Sequence, residues 1–91
     1  MTREVGYSDL DVNQHMNNYR YVEWALDLLD YKIYKDYYIS ELTMIYKKEL
    51  APKTKVNLYY GMQDNQFRVT ILSEDDQTTH FELSGKIKSN S

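Results

Sequence analysis

Three side chains, Asp11, Asn13 and His15, recur at every second position in the polar stretch Asp9-Leu10-Asp11-Val12-Asn13-Gln14-His15-Met16-Asn17-Asn18. In extended backbone, that spacing turns all three to one side. They stand just before a segment with helical periodicity, where the first N–H groups of a helix have no intrahelical partner. A carboxylate, an amide, an imidazole and these orphan backbone amides would then converge on one place. Such a set suits acyl transfer, in which a base or nucleophile acts on a carbonyl and fixed donors hold the oxyanion.

Plainer readings of the same residues stand beside this one. Asp, Asn and His ahead of a helix often only cap it or close a turn. One histidine with two aspartates also invites a metal, but the spacing matches no recurring ligand pattern. No metal or cofactor is expected.

The elements that must position these groups follow from periodicity. Residues 2–7 suit a short strand, and residues 8–18 suit turns and a cap. From Asn18 onward, Val22, Ala25, Leu26 and Leu29 fall on one face, flanked by Tyr21 and Leu28. Arg20, Glu23, Asp27 and Asp30 fall on the other, so the spacing predicts an amphipathic helix of about three to four turns. Asn17 or Asn18 is its expected cap. Trp24 is expected in the core with Leu26 and Leu29.

After a tyrosine-rich connection the period drops to two. Leu42, Met44 and Tyr46 alternate with polar or outward positions; Ala51-Pro52-Lys53 then breaks the run. Val56, Leu58, Tyr60 and Met62 mark a second strand, Phe67, Val69 and Ile71 a third, and Phe81, Leu83 and Ile87 a fourth. Turns are expected at 63–66 and 74–77. Gly85 stands where a further inward side chain would be. His80 alternates away from Phe81 and Leu83 and is expected at the surface. The fold class is therefore α+β, an antiparallel sheet of about five strands wrapped around one central helix. One helix leaves the other face of the sheet uncovered, which predicts a dimer or a second domain there.

Composition narrows the classes. The chain has 91 residues, 42% hydrophobic and 27% charged, enough for one small domain. A net charge of -3 opposes nucleic-acid binding through bulk positive charge. There are no cysteines, which excludes disulfides, thiolate metal sites and cysteine nucleophiles. No apolar run approaches the roughly 18 residues of a membrane span. Met1-Thr2-Arg3-Glu4 lacks the apolar core of a secretory signal. Ten tyrosines stand against two Phe and one Trp. Tyr31, Tyr34, Tyr37 and Tyr38 suit an interface or an acyl groove, the interface being favoured.

Ser8 to Asn18, followed by Tyr21-Val22 and Trp24, resembles the acyl-ACP thioesterases of plants and bacteria, at the start of the second of their two fused hotdog domains. Leu42-Thr43-Met44-Ile45-Tyr46-Lys47-Lys48-Glu49 resembles a later strand of that family, where a basic pair precedes a glutamate. The resemblance implies a single hotdog domain over 1–88, with a frayed tail at 89–91. It covers nearly the whole chain but only about half of the family's usual protein.

It also implies a site. The Asp, Asn and His of the family motif fall on Asp11, Asn13 and His15, and its later Glu falls on Glu49. The next position is cysteine in many plant members and is Leu50 here, so no thiol acts. The implied activity is cofactor-free hydrolysis of acyl-ACP, ending fatty-acid elongation. Glu49 or Asp11 would serve as base or nucleophile, and Met16 to Asn18 would supply oxyanion amides. Lys47 and Lys48 are candidates for docking an acidic carrier protein, against the plainer reading of a solvated strand edge.

The implied partners are acyl carrier protein and a second hotdog, in a homodimer or fused, with no nucleic acid and no membrane span. The implied location is the bacterial cytoplasm, or a plastid in a plant. Two alternatives stay open: a stand-alone homodimeric acyl-CoA thioesterase, and a non-catalytic hotdog that binds acyl thioesters.

Overall fold

The computed structural model describes residues 1–90. Strand β1 (Thr2–Glu4) leads through a 3-10 turn (Tyr7–Asp9) to helix α1 (Asn18–Leu26) and helix α2 (Tyr31–Asp36). Four longer strands follow: β2 (Tyr37–Tyr46), β3 (Lys55–Gln63), β4 (Gln66–Ser73) and β5 (Thr79–Ser89). They form one antiparallel sheet in the order β1-β3-β4-β5-β2.

The alternating positions of β3, β4 and β5 line its inner face. Leu58 pairs with Ile71, Ile71 with Phe81, and Phe81 with Tyr46, making one row across four strands. Tyr21, Trp24 and Ala25 of α1 complete the buried core with these rows. The five-stranded antiparallel sheet around a helix is thus as the periodicity indicates. Trp24 is fully buried, as expected, whereas Leu29 only packs against the margin of the core.

The β3–β4 hairpin turns on Asp64 and Asn65, both with positive φ (53° and 62°), the geometry of the tight turns that match strand twist. Gly85 has a packing reason. A Cβ there would lie 2.6 Å from both Phe67 Cζ and the Glu41 carbonyl oxygen, so the missing side chain makes room for the Phe67 ring.

Several expectations change. The helix is nine residues long, not three to four turns. After Leu26 the chain bends, and the Asp30 carboxylate accepts the Lys32 N–H at 2.8 Å, capping a second short helix where a connection was expected. Strand β2 begins at Tyr37, because a bulge between Ile39 and Glu41 breaks the alternation and hides its first half. At the end of the chain, Ser89 pairs with Tyr37 and the Asn90 N–H donates to the Asp36 carbonyl at 3.0 Å. The expected fraying therefore does not begin at 89, and Ser91 lies outside the described residues.

The outer face of the sheet also differs from expectation. It carries Arg68, Thr70, Glu82, Ser84 and Lys86 at the positions between the inward ones, a polar surface that can face water. Exposed apolar groups concentrate on β2, where Ile39, Leu42, Met44, Ile45 and Tyr46 are all substantially exposed, with Tyr59, Tyr60 and Met62 exposed on β3 as well. Strand β2 is hydrogen-bonded to β5 alone, so its other edge is open along ten residues.

Candidate active site

The motif does not run as extended backbone. Asp11 to His15 form a closed turn: the Asp11 N–H donates to the His15 carbonyl at 2.8 Å, and the Gln14 N–H donates to the Asp11 carbonyl at 3.0 Å. Gln14 adopts a left-handed conformation (φ 63°), which breaks the two-residue period between Asn13 and His15. One Asp11 carboxylate oxygen accepts the N–H groups of Asn13 (2.9 Å) and His15 (3.2 Å). Asp11 is thus built into the turn that presents His15. Asn13 is exposed, and its side chain makes no hydrogen bond among the described residues.

A partly buried ion pair braces this turn. Asp9 Oδ1 accepts from Arg20 Nε at 2.8 Å, and Asp9 Oδ2 accepts the Gly6 N–H at 2.9 Å. Burial alone would raise the Asp9 carboxyl, but the Gly6 amide, the Arg20 charge and the dipole of the nearby Trp24 indole outweigh it and leave the group below the usual carboxylate range. Arg20 Nη1 also donates to Glu23 Oε2 at 2.9 Å, one helical turn away.

Glu49 arrives from the other side, on the strap (residues 47–50) that follows β2. Its Oε2 stands 3.2 Å from His15 Nδ1. The structure therefore brings two of the four family residues into direct contact, across 34 positions of sequence. Their side chains are 49% and 75% exposed, so solvent screens the pair in this open domain. A carboxylate at Nδ1 favours the tautomer with its proton on Nδ1, and Nε2 has no hydrogen-bond partner among the described residues.

The expected oxyanion donors fare unequally. The Met16 N–H donates to the Leu50 carbonyl at 3.0 Å and the Asn17 N–H to the Asp9 carbonyl at 2.7 Å, so neither amide is available. The Asn17 side chain caps α1 by accepting the Tyr19 N–H at 2.9 Å. Asn18 opens α1; its own N–H has no partner among the described residues, and its carbonyl accepts the Tyr46 hydroxyl at 3.2 Å.

Lys47 Nζ lies 3.5 Å from Glu82 Oε1, while the Lys48 ammonium makes no ion pair among the described residues. No group of three metal-ligating side chains occurs among them.

Two further residues shape the site, and periodicity missed both roles. Tyr21 Oη accepts the Leu50 N–H at 2.9 Å beneath the strap. Burial raises the Tyr21 phenol above its ordinary value; the Leu50 amide opposes this and the Glu49 charge adds to it. His80 is the other. Expected at the surface, it is only 7% exposed, because the strap lies over it: its Nδ1 is 3.0 Å from the Lys48 carbonyl oxygen. Tyr21 flanks the helical stripe and stands in the family-like motif, but neither signal points to its bond with Leu50, and His80 had no signal at all.

An antiparallel sheet wrapped around α1 is the hotdog architecture. The chain belongs to the acyl-ACP thioesterases: their C-terminal domain model matches residues 2–90.

Among curated relatives, the chloroplastic dodecanoyl-acyl-carrier-protein hydrolase of Cinnamomum camphora is 42% identical over 43 residues, 47% of this chain and 11% of that protein. The chloroplastic palmitoyl-acyl carrier protein thioesterase of Cuphea hookeriana is 37% identical over 75 residues, 76% of this chain and 18% of that protein. Among solved structures, an acyl-ACP thioesterase from Bacteroides thetaiotaomicron superposes with a TM-score of 0.89 at 25% identity, covering 97% of this chain and 36% of that one. The 12:0-ACP thioesterase of Umbellularia californica gives a TM-score of 0.84 at 19% identity, covering 98% and 35%, and speaks for the fold alone. The chain thus spans about a third of the length of these solved relatives and less than a fifth of the curated ones.

Proposed function

We propose that this chain carries the hydrolytic residues of an acyl-ACP thioesterase and cleaves acyl thioesters without a cofactor. The observation that carries the reading is the 3.2 Å approach of Glu49 Oε2 to His15 Nδ1, in a domain of this family. Glu49 holds the Nδ1 proton, and His15 Nε2 removes a proton from water. The water oxygen then attacks the thioester carbonyl, and Glu49 stabilises the imidazolium that forms. The Asn18 N–H and the Asn13 amide supply donors for the oxyanion. As the intermediate collapses, the C–S bond breaks and the imidazolium returns its proton to the thiolate. This assigns Glu49 to the imidazole and Asp11 to the turn, rather than either carboxylate to water directly.

The carrier in this reading is acyl carrier protein, for which the unpaired Lys48 ammonium offers a contact and Lys47 a weaker one. The product is a free fatty acid, and the setting is a plastid or a bacterial cytoplasm. A second hotdog domain, from another copy or another segment, covers the open edge of β2 and the apolar groups along it. That cover also dries the exposed pair, which strengthens its electrostatics.

The test is thiol release from long-chain acyl-ACP by the chain and by its His15→Ala form. Loss on the order of 10²-fold or more in the variant supports the reading. Equal release from both forms overturns the assignment, and no release from either shows that the lone domain is not a working hydrolase.

A further inference from the structure

We propose that His80 is a positioning residue for Glu49, acting through the backbone of Lys48 in the tautomer that carries its proton on Nδ1. The inference rests on the thioesterase reading for its kinetic consequence, and on geometry alone for the rest.

Regular pairing of β2 with β5 ends at Tyr46 and Phe81. Just beyond it, the N–H groups of both Lys47 and Lys48 donate to the His80 carbonyl, at 2.9 and 3.2 Å. The His80 ring also reaches the next peptide, with Nδ1 3.0 Å from the Lys48 carbonyl oxygen. A carbonyl only accepts, so Nδ1 must be the donor. One residue thereby holds both the amide and the carbonyl of Lys48.

On the far side of Glu49, Leu50 is held as firmly. Its N–H donates to Tyr21 Oη at 2.9 Å and its carbonyl accepts the Met16 N–H at 3.0 Å. Glu49 sits between two fixed residues while its own side chain is 75% exposed and, among the described residues, pairs only with His15. An exposed carboxylate has no packing to aim it, so its aim comes from the backbone. Reaction rates are sensitive to this, since a displacement of about 1 Å can cost on the order of 10²-fold. A buried imidazole whose one hydrogen bond goes to that backbone is placed to set it. An apolar side chain of similar size would fill the space and leave the Lys48 carbonyl without its donor.

The experiment compares His80→Leu, which keeps the bulk and removes the donor, with His80→Asn, whose side-chain amide can replace Nδ1–H. In the thiol-release assay, His80→Leu is expected to lower kcat about tenfold or more with KM within about twofold, and His80→Asn to recover most of the loss. Two NMR readouts do not need activity. Long-range 1H–15N spectra of the unaltered protein should show His80 protonated at Nδ1. The His15 ring signals should move in His80→Leu toward their positions in Glu49→Gln, and should stay near the unaltered positions in His80→Asn.

The proposal is overturned if His80 carries its proton on Nε2 alone, if the His15 signals ignore His80→Leu, or if the Asn and Leu variants are equally impaired. A chain that is inactive in every form, yet shows the NMR pattern, refutes the thioesterase reading and leaves the positioning role standing. Should His80→Leu fail to fold, the tautomer and the His80→Asn spectrum decide.

Discussion

The Leu50 carbonyl accepts the Met16 N–H at 3.0 Å, and this bond ties the turn that presents His15 to the strap that presents Glu49. Each partner of the His15–Glu49 pair has its neighbour in that bond. Both Leu50 and Met16 are buried, so the tie is shielded from water and held in register by the core. The site is exposed, but its foundation is not.

Tyr21 completes this foundation by accepting the Leu50 N–H from below. Tyr21→Phe keeps the ring contacts with Phe81 and Tyr46, at centroid distances of 5.4 and 5.6 Å, and removes only the acceptor. A buried amide left without a partner costs about 1–3 kcal/mol. Thermal unfolding of Tyr21→Phe is expected to drop by several degrees, and kcat to fall more than KM changes. Unaltered stability would show that the Leu50 amide finds another partner.

The sequence made much of this legible, and its gaps have physical causes. The strands at 55–63, 66–73 and 79–89 each bury one face, so their alternation is plain. The first half of β2 was hidden because the bulge at Ile39 and Glu41 shifts its inward positions by one. The helix was overextended because Leu28 and Leu29 keep the helical spacing while their N–H groups close a turn onto Ala25 and Leu26. His80 follows the alternation correctly and is buried all the same, by residues 32 positions away, which no local pattern records. The turn-rich character of residues 8–18 is legible, but the period-two spacing of Asp11, Asn13 and His15 suggests extended backbone locally, because a left-handed Gln14 leaves no mark in a pattern of residue types. Glu49 was found through the family resemblance; periodicity gave no reason to join it to His15.

Asp9 and Arg20 make an acid-sensitive brace under the turn. The Asp9 carboxyl lies below its ordinary value in the folded chain, so its ionised form favours folding. That stabilisation is complete above the ordinary carboxylate range, roughly pH 4, and is lost as pH falls through the lower folded value. Asp9→Asn is expected to be less stable at neutral pH by about 2 kcal/mol, the scale of a hydrogen bond to a charged group. The gap between the two forms should narrow below about pH 4. Urea unfolding across pH checks this, since the other carboxylates are common to both forms. A gap independent of pH would mean that the Asp9 charge adds nothing.

Gly85 admits no side chain without movement. A methyl group there meets the Phe67 ring and the Glu41 carbonyl oxygen, both at 2.6 Å, and the carbonyl is backbone that cannot simply turn away. Gly85→Ala is expected to destabilise by about 1–3 kcal/mol, the usual range for overpacking. Because Glu41 lies at the β2 bulge, amide exchange along Tyr37–Tyr46 should quicken as well. Exchange at the unaltered rate would place the relaxation in Phe67 alone.

The open edge of β2 makes the last prediction. Tyr37–Tyr46 has ten residues, one charge (Glu41) and no proline, so beyond the bulge near its start it carries little that keeps an exposed strand from pairing. Leu42 and Met44 lie on its inner face, exposed at 38% and 42%. Light scattering at micromolar concentration is expected to find a dimer that continues the sheet across two β2 strands. Leu42→Lys with Met44→Lys should return it to a monomer, because two ammonium groups from each copy would meet in the joint. In the proposed arrangement the variant also loses thiol release, since His15 and Glu49 stay open to water. A monomer before substitution would leave the edge to a different hotdog domain, and a dimer that survives both lysines would place the contact elsewhere.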